Sequence, residues 1–177
     1  MKSIPEVLTT QRLVLRPFIP EDKPRFLDFM LDNEATQYLN FTEEQKTVEG
    51  AGELFDAILA SYETDEPIFS LAIQLKDAEY IGSCGLSPIE DGIWECYYSL
   101  NREYWGNGYA TEAMSRLKDY AFQEMHIKEL RAYMSPENPN SANVAEKIGM
   151  QYKGIDVHPV FQNEGLLYSV INPNRQK

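Results

Sequence analysis

Two glycines one residue apart, Gly106 and Gly108, stand in the stretch NREYWGNGYATEAM (residues 101–114), just before an apolar pattern with helical spacing. Glycine costs a helix roughly 0.5–1 kcal/mol relative to alanine, so a pair at a helix entrance calls for some use of bare backbone. A helix N-terminus offers unpaired N–H groups and about half a positive charge. A loop without side chains lets a phosphate come close to them. The loop 103–110 therefore reads either as a diphosphate cradle or as a tight strand-to-helix turn. A P-loop is excluded because no Lys follows the glycines. The Rossmann fingerprint needs a third Gly where this chain has Thr111, and it opens a parallel sheet, whereas this loop follows three strands read as antiparallel.

A second chemical candidate lies just upstream. Glu95 sits in the strand-like run IWECYYSL (Ile93–Leu100), sharing parity with Tyr97 and Ser99 while Trp94, Cys96 and Tyr98 face the other way. A carboxylate in the middle of a central strand is uncommon unless it is paired or functional. Glu95 is the candidate general base; the alternative is a carboxylate that reaches solvent or a Lys/Arg partner. His126, near the end of the long helix, reads as a residue favoured by the helix dipole. His158, before Pro159, falls on a loop where it could touch substrate. Cys84 and Cys96 lie inside strand-like runs without zinc spacing and are too few for a disulfide framework, so they read as reduced core residues. No His/Cys/Asp cluster points to a metal.

The bulk properties narrow the partners. With 28 acidic against 16 basic residues the formal charge is −12, which argues against a nucleic-acid partner. A cationic substrate is favoured only weakly, since net charge governs steering more than specificity. The N-terminal MKSIPEVLTT has no long apolar stretch, and no run approaches the roughly 20 apolar residues of a membrane span. The expectation is a soluble, cytoplasmic, single-domain protein over residues 1–177, monomer or homodimer.

These residues need elements to position them. RLVLRPF (12–18) alternates like a strand, and EDKPRFLDFML reads as a helix with Phe26, Phe29 and Met30 on one face. Thr42 and Gln45 match a capping box, with the following helix burying Val48, Ala51, Phe55, Ile58 and Leu59. Three strands come next, at 69–75, 80–89 and Ile93–Leu100, joined by short turns and hence antiparallel. Ala110, Ala113, Met114, Leu117, Ala121 and Met125 form a helical stripe. Glu129–Met134 is then a strand, parallel to Ile93–Leu100 across the helical crossover. SANVAEKIG reads as a two-turn helix capped by Asn140 or Ser141, with Gly149 at its exit. Two last strands, near MQYKGI and LLYSVI, complete an α+β architecture with a mixed sheet of about seven strands, antiparallel first and partly parallel later, flanked by helices.

YYSLNREYWGNGYATEA resembles the signature of the GNAT acetyltransferases, and most of all their ribosomal-protein N-terminal acetyltransferase (RimJ/RimL-like) branch. TQRLVLRPF, FSLAIQLKDAEYIGSCGL and NPNSANVAEKIGM resemble further elements of that branch in order, so the resemblance covers nearly the whole chain. It implies the GNAT fold, with the fourth and fifth of the strands above splayed apart. It implies acetyl-CoA as cosubstrate, without a metal. The pyrophosphate would lie against Trp105, Gly106, Asn107, Gly108, Tyr109, Ala110 and Thr111, and the pantetheine along Tyr98, Ser99 and Leu100. Glu103 stands where the superfamily often has Arg or Gln. The branch's Asn-x-x-Ser element implies that Ser141 protonates the leaving thiolate and that Asn138 orients the pantetheine or a water. Many GNAT enzymes carry a Tyr four residues later, where this chain has Ala145, so a tyrosine acid is excluded.

The implied reaction is acyl transfer to an amine, direct and without a covalent enzyme intermediate. An α-amine of pKa near 7.7–8.0 costs about 1 kcal/mol to deprotonate at pH 7, whereas an alkyl amine near 10.4 costs about 4.6. A base therefore matters less for a protein N-terminus, and positioning carries much of the rate. The acceptor is expected to be a primary amine, either a small molecule or a protein N-terminus; Tyr38 and Tyr97 are candidates to line its groove. The rival expectation is a module that binds acyl-CoA without turnover.

Overall fold

The computed structural model describes residues 4–175. Among them eight strands form one sheet in the order β1-β2-β3-β4-β5-β6-β8-β7. They are β1 (Leu8–Thr9), β2 (Leu13–Arg16), β3 (Ser70–Leu75), β4 (Tyr80–Glu90), β5 (Ile93–Leu100), β6 (Glu129–Met134), β7 (Gln151–Val157) and β8 (Glu164–Ile171). The strand beyond the seven expected is the two-residue β1, which pairs with β2 through Leu8 and Leu15. Among the described residues β5 and β6 pair in parallel and the other neighbouring strands pair antiparallel. The short connections between β3, β4 and β5 allow only hairpins, while the β5-to-β6 crossover needs the long helix.

Helices cover both faces because the strands alternate. In β3, Leu71 and Ile73 join a core with Met114, Leu117 and Ala121 of α4 (Tyr109–Gln123) and with Ala145 of α5 (Pro139–Lys147). Ala72 points the opposite way, into a core with α1 (Lys23–Leu31) and α3 (Val48–Ser61). That second core is aromatic: Phe18 meets Phe26 and Phe55 edge to face, at ring distances of 5.8 and 5.5 Å. Such pairs contribute about 0.5–1.5 kcal/mol beyond the area they bury. Phe26, Phe29 and Met30 are buried as their spacing predicts.

Two helix starts differ from the sequence reading. Thr42 and Gln45 do form reciprocal hydrogen bonds, at 3.0 and 3.2 Å, but these close a turn. Thr47 caps α3 instead, accepting from the Gly50 N–H at 3.1 Å. Val48, now the first helical residue, is 63% exposed rather than buried. At α5 the cap is neither Asn140 nor Ser141 but Asn138, whose Oδ1 accepts the Ser141 N–H at 3.3 Å. Pro139 explains the shift, because proline favours the first helical position and thereby makes its predecessor the cap.

Candidate active site

The sheet opens where β5 and β6 part. Their parallel register runs Ile93↔Glu129, Trp94↔Leu130 and Glu95↔Arg131, and then stops. β4 continues along the other edge of β5 to Gly82↔Leu100. Backbone groups alternate sides along a strand. The Asn101 N–H donates to Ile81 of β4 at 2.9 Å, so Ser99 also turns its backbone to β4, while Tyr98 and Leu100 turn theirs to the opening. The Leu100 carbonyl is taken there by the Trp105 indole N–H at 2.9 Å. Of the three residues expected along this edge, Tyr98 and the N–H of Leu100 turn backbone groups to the opening, and Ser99 does not. Ser99 contributes a side chain, whose Oγ lies 3.2 Å from that of Ser83.

Past the opening, the loop reaches α4 through two left-handed residues, Gly106 at φ +76° and Gly108 at φ +77°. Gly108 is the N-cap of α4 and no side chain caps the helix, so its first N–H groups stay available. A Cβ on Gly106 would meet nothing within 4 Å, and one on Gly108 only the tip of Arg12, at 3.5 Å. The chain itself does not crowd these positions: glycine is needed for the backbone angle, and a side chain there would occupy the space before the helix. Such a cradle fits a diphosphate.

Arg12 braces the cradle. Its Nε binds Glu112 Oε2 at 2.6 Å, its backbone N–H binds Glu112 Oε1 at 2.8 Å, and one terminal nitrogen donates to the Asn107 carbonyl at 2.9 Å. The guanidinium lies 4.5 Å over the Tyr109 ring. The Thr10 hydroxyl adds a 2.6 Å hydrogen bond to Glu112. Burial works to raise the Glu112 pKa, but the bonds from Thr10 and Arg12 hold it below the usual carboxylate value. The negative charge in the first turn is thus neutralised locally, leaving the helix terminus to an anion. Glu103, at the loop's entry, turns outward to pair with Arg25.

Across the opening, Ser141 is held by three bonds. Asn138 Oδ1 accepts its N–H, Asn138 Nδ2 donates to its Oγ at 3.0 Å, and the Tyr98 hydroxyl donates to its carbonyl at 2.7 Å. Since its oxygen already accepts, the Ser141 hydroxyl keeps its proton to give.

Glu95 has the partner that the sequence did not show. His158 Nε2 lies 3.0 and 2.9 Å from its two carboxylate oxygens. His158 Nδ1 accepts the backbone N–H groups of Val160 and Phe161, each at 3.1 Å. Two donors aimed at Nδ1 fix the tautomer: the ring's proton sits on Nε2 and is donated to Glu95. The imidazole is 3% exposed and lies between the rings of Tyr133 and Phe161, at centroid distances of 4.7 and 4.6 Å. Burial raises the Glu95 pKa, and the His158 hydrogen bond opposes that rise without cancelling it. With Nδ1 closed off, His158 orients the carboxylate and Glu95 remains the group able to take a proton.

A family model described as the acetyltransferase (GNAT) domain matches residues 12–151, which include the opened strands, the glycine loop and Ser141. The chain belongs to the GNAT acetyltransferase family. It is 34% identical over 153 residues to p20, an uncharacterized N-acetyltransferase of Bacillus licheniformis, spanning 85% of each chain. The crystal structure of an acetyltransferase from Agrobacterium tumefaciens superposes with a TM-score of 0.76 at 29% identity, over 96% of each chain. That of Mycobacterium smegmatis RimJ, solved with CoA-disulfide, gives 0.77 at 18% identity, covering 93% of this chain and 84% of that one. The protein is thus an acetyl-CoA-dependent acetyltransferase.

Beside this GNAT centre lies a cavity of about 360 Å³. Its walls come from residues 37–40 after α2 (Asn33–Thr36), from the end of β6 and the turn beyond it, and from the β7–β8 loop with His158. Asn163 Nδ2 donates to Asn40 Oδ1 at 3.0 Å, tying two of these walls together. Tyr38 lines the cavity; Tyr97 does not, its ring covering Gly85 and its hydroxyl bonded to Ser70. Sequence reasoning singled out Glu95 but left His158 without a partner and did not consider Arg12. His126 is exposed, at φ +54° beyond the end of α4, away from all of these groups. Cys84 and Cys96 are buried free thiols, as expected. Among the described residues no helix is long and apolar enough to cross a membrane.

Proposed function

We propose that the protein transfers the acetyl group of acetyl-CoA to a primary amine, either a small molecule or a protein N-terminus, by direct attack within a ternary complex. The observation that carries this reading is Glu95, a carboxylate at the mouth of the opened strands, oriented by the buried His158. An amine must be neutral to attack, and a carboxylate of raised pKa is a better proton acceptor than an ordinary one. Ser141, whose oxygen accepts a hydrogen bond from Asn138, would protonate the departing thiolate. Backbone N–H groups of Gly106 to Thr111 would hold the pyrophosphate and Tyr98 the pantetheine, with Trp105 closing the edge at Leu100. CoA in the RimJ structure supports the ligand class, and the resemblance of residues 97–113 to the RimJ/RimL-like branch supports a protein N-terminus among the acceptors. The bound thioester supplies the activated acetyl group; the chain's own residues orient, deprotonate and protonate.

The test is release of free thiol from acetyl-CoA across a panel of amines, for the native protein and for Glu95→Gln. Turnover that falls in Glu95→Gln with acetyl-CoA affinity kept, most at low pH and least where the acceptor is already neutral, supports the assignment. A protein that binds acetyl-CoA and releases no thiol with any amine refutes it, and would be the acyl-CoA-binding module instead.

A further inference from the structure

We propose that the acceptor is a small primary amine carrying a second positive charge, and that Glu137 and Glu164 select it from the rim of the 360 Å³ cavity. The inference rests on the amine-transfer reading above and narrows it. A transferase of this family needs a place for its acceptor, and this cavity adjoins the proton-accepting pair through His158, which forms part of its wall. The volume suits a small molecule, and the Asn163–Asn40 bond ties two of its walls together.

The charge around the cavity has one sign. Glu137 and Glu164 line it, and none of the lining residues is Lys or Arg. Elsewhere carboxylates near the site are neutralised: Glu112 by Arg12, Glu103 by Arg25, Glu129 by Arg131. Arg131, in register with Glu95, is engaged by Glu129 through its Nε at 2.8 Å. Among the described residues Glu137 and Glu164 have no such salt bridge. Two unneutralised carboxylates in one cavity suit a cation and repel an anion.

The proton-accepting pair points the same way independently. At pH 7 about one α-amine in ten is neutral, but only about one alkyl amine in 2,500. A carboxylate fixed by a buried imidazole is of most use to the second kind of amine. One end of a dication would give its proton to Glu95 and attack the acetyl carbon; the other would stay charged against the rim glutamates. The C–N bond forms and the C–S bond breaks; the thiolate takes the Ser141 proton, the nitrogen's second proton passes to the Ser141 oxygen in its place, and Glu95 releases the first to solvent, leaving amide, thiol and one proton.

The experiment compares kcat/KM for 1,4-diaminobutane, n-butylamine, 4-aminobutan-1-ol, 4-aminobutyrate and an alanyl peptide, at low and high salt, with native enzyme, Glu137→Gln, Glu164→Gln and the double variant. Each exposed pair contributes roughly up to fivefold, so the diamine should lead the neutral amines by about tenfold, with the aminobutyrate last. Each single variant should lower the diamine's lead, chiefly through KM, and the double variant or high salt should nearly abolish it. None of the substitutions should alter acetyl-CoA binding, measured by thermal shift at one salt concentration. Equal use of the diamine and the neutral amines, preference for the peptide, or a lead unchanged in the double variant overturns the inference while the transfer reading stands. No transfer to any member of the panel, with acetyl-CoA bound, overturns both.

Discussion

Replacing His158 by Asn separates the two jobs of the imidazole. The Asn carbonyl can stand near the place of Nδ1 and accept from Val160 and Phe161, but nothing then reaches Glu95. A hydrogen bond to a charged group is worth about 1.5–3 kcal/mol, or roughly 1–2 pKa units at 1.36 kcal/mol each. The Glu95 side chain is 20% exposed, so water will replace part of the lost bond and the lower end, about one unit, is the expectation. The shift is upward, because burial already raises this carboxyl and His158 opposes the rise. The acid limb of kcat/KM should therefore move about one pH unit higher, costing roughly tenfold well below the limb and little above it. His158→Gln, which can keep a donor near the place of Nε2, should leave the limb closer to that of the native enzyme. The assay is a pH–rate profile at saturating acetyl-CoA, with circular dichroism to confirm folding. A folded Asn variant with an unmoved limb would show that His158 does not control the ionisation of Glu95. Stability follows by linkage. A carboxyl whose pKa is raised on folding favours the folded state most below its ordinary value of 4.5, and that contribution is lost as pH rises through the folded-state pKa. The Asn variant should extend this loss to higher pH, which melting temperature against pH will show.

Gly108→Val, at φ +77°, should lose most of the stabilisation that acetyl-CoA gives, about 2.7 kcal/mol at 100 times its Kd; an undiminished thermal shift in a folded variant would remove the loop from the binding site. Ser141→Ala should leave the melting temperature nearly unchanged, because Asn138 caps α5, yet lower turnover tenfold or more. Asn138→Ala should lower both turnover and stability, the latter by about 0.5–2 kcal/mol through the lost cap, and a fully active Ser141→Ala would leave the thiolate without a donor from this chain. Arg12→Gln should cost less than about 1 kcal/mol, since the ion pair with Glu112 is partly exposed. It should weaken acetyl-CoA binding, read by calorimetry, without changing KM for the amine.

The elements were legible because their causes are local. The α4 stripe at Ala113, Met114, Leu117 and Ala121, the alternation of β3 and the glycine pair before α4 all follow from relations within a few residues. Caps were less legible where competing hydrogen-bonding residues stood side by side. Asn138, Asn140 and Ser141 could each cap α5, and Pro139 decided among them; Thr42 and Gln45 made their box while Thr47 took the helix.

By itself the sequence determined most strands and helices in their order, a glycine loop before the long helix, and a carboxylate on the central strand. Sheet order decided the site. Placing β8 between β6 and β7 brings the β7–β8 loop, and with it His158, to a carboxylate 63 residues away. Packing α4 against β1 and β2 sets Arg12 on Glu112, 100 residues apart. Seating α5 over the opened strands puts Tyr98 on the Ser141 carbonyl, across 43 residues. Hydrophobic periodicity says which face of each element is buried but not which neighbour buries it. The partners of Glu95, Glu112 and Ser141 therefore exist only once the sheet is assembled.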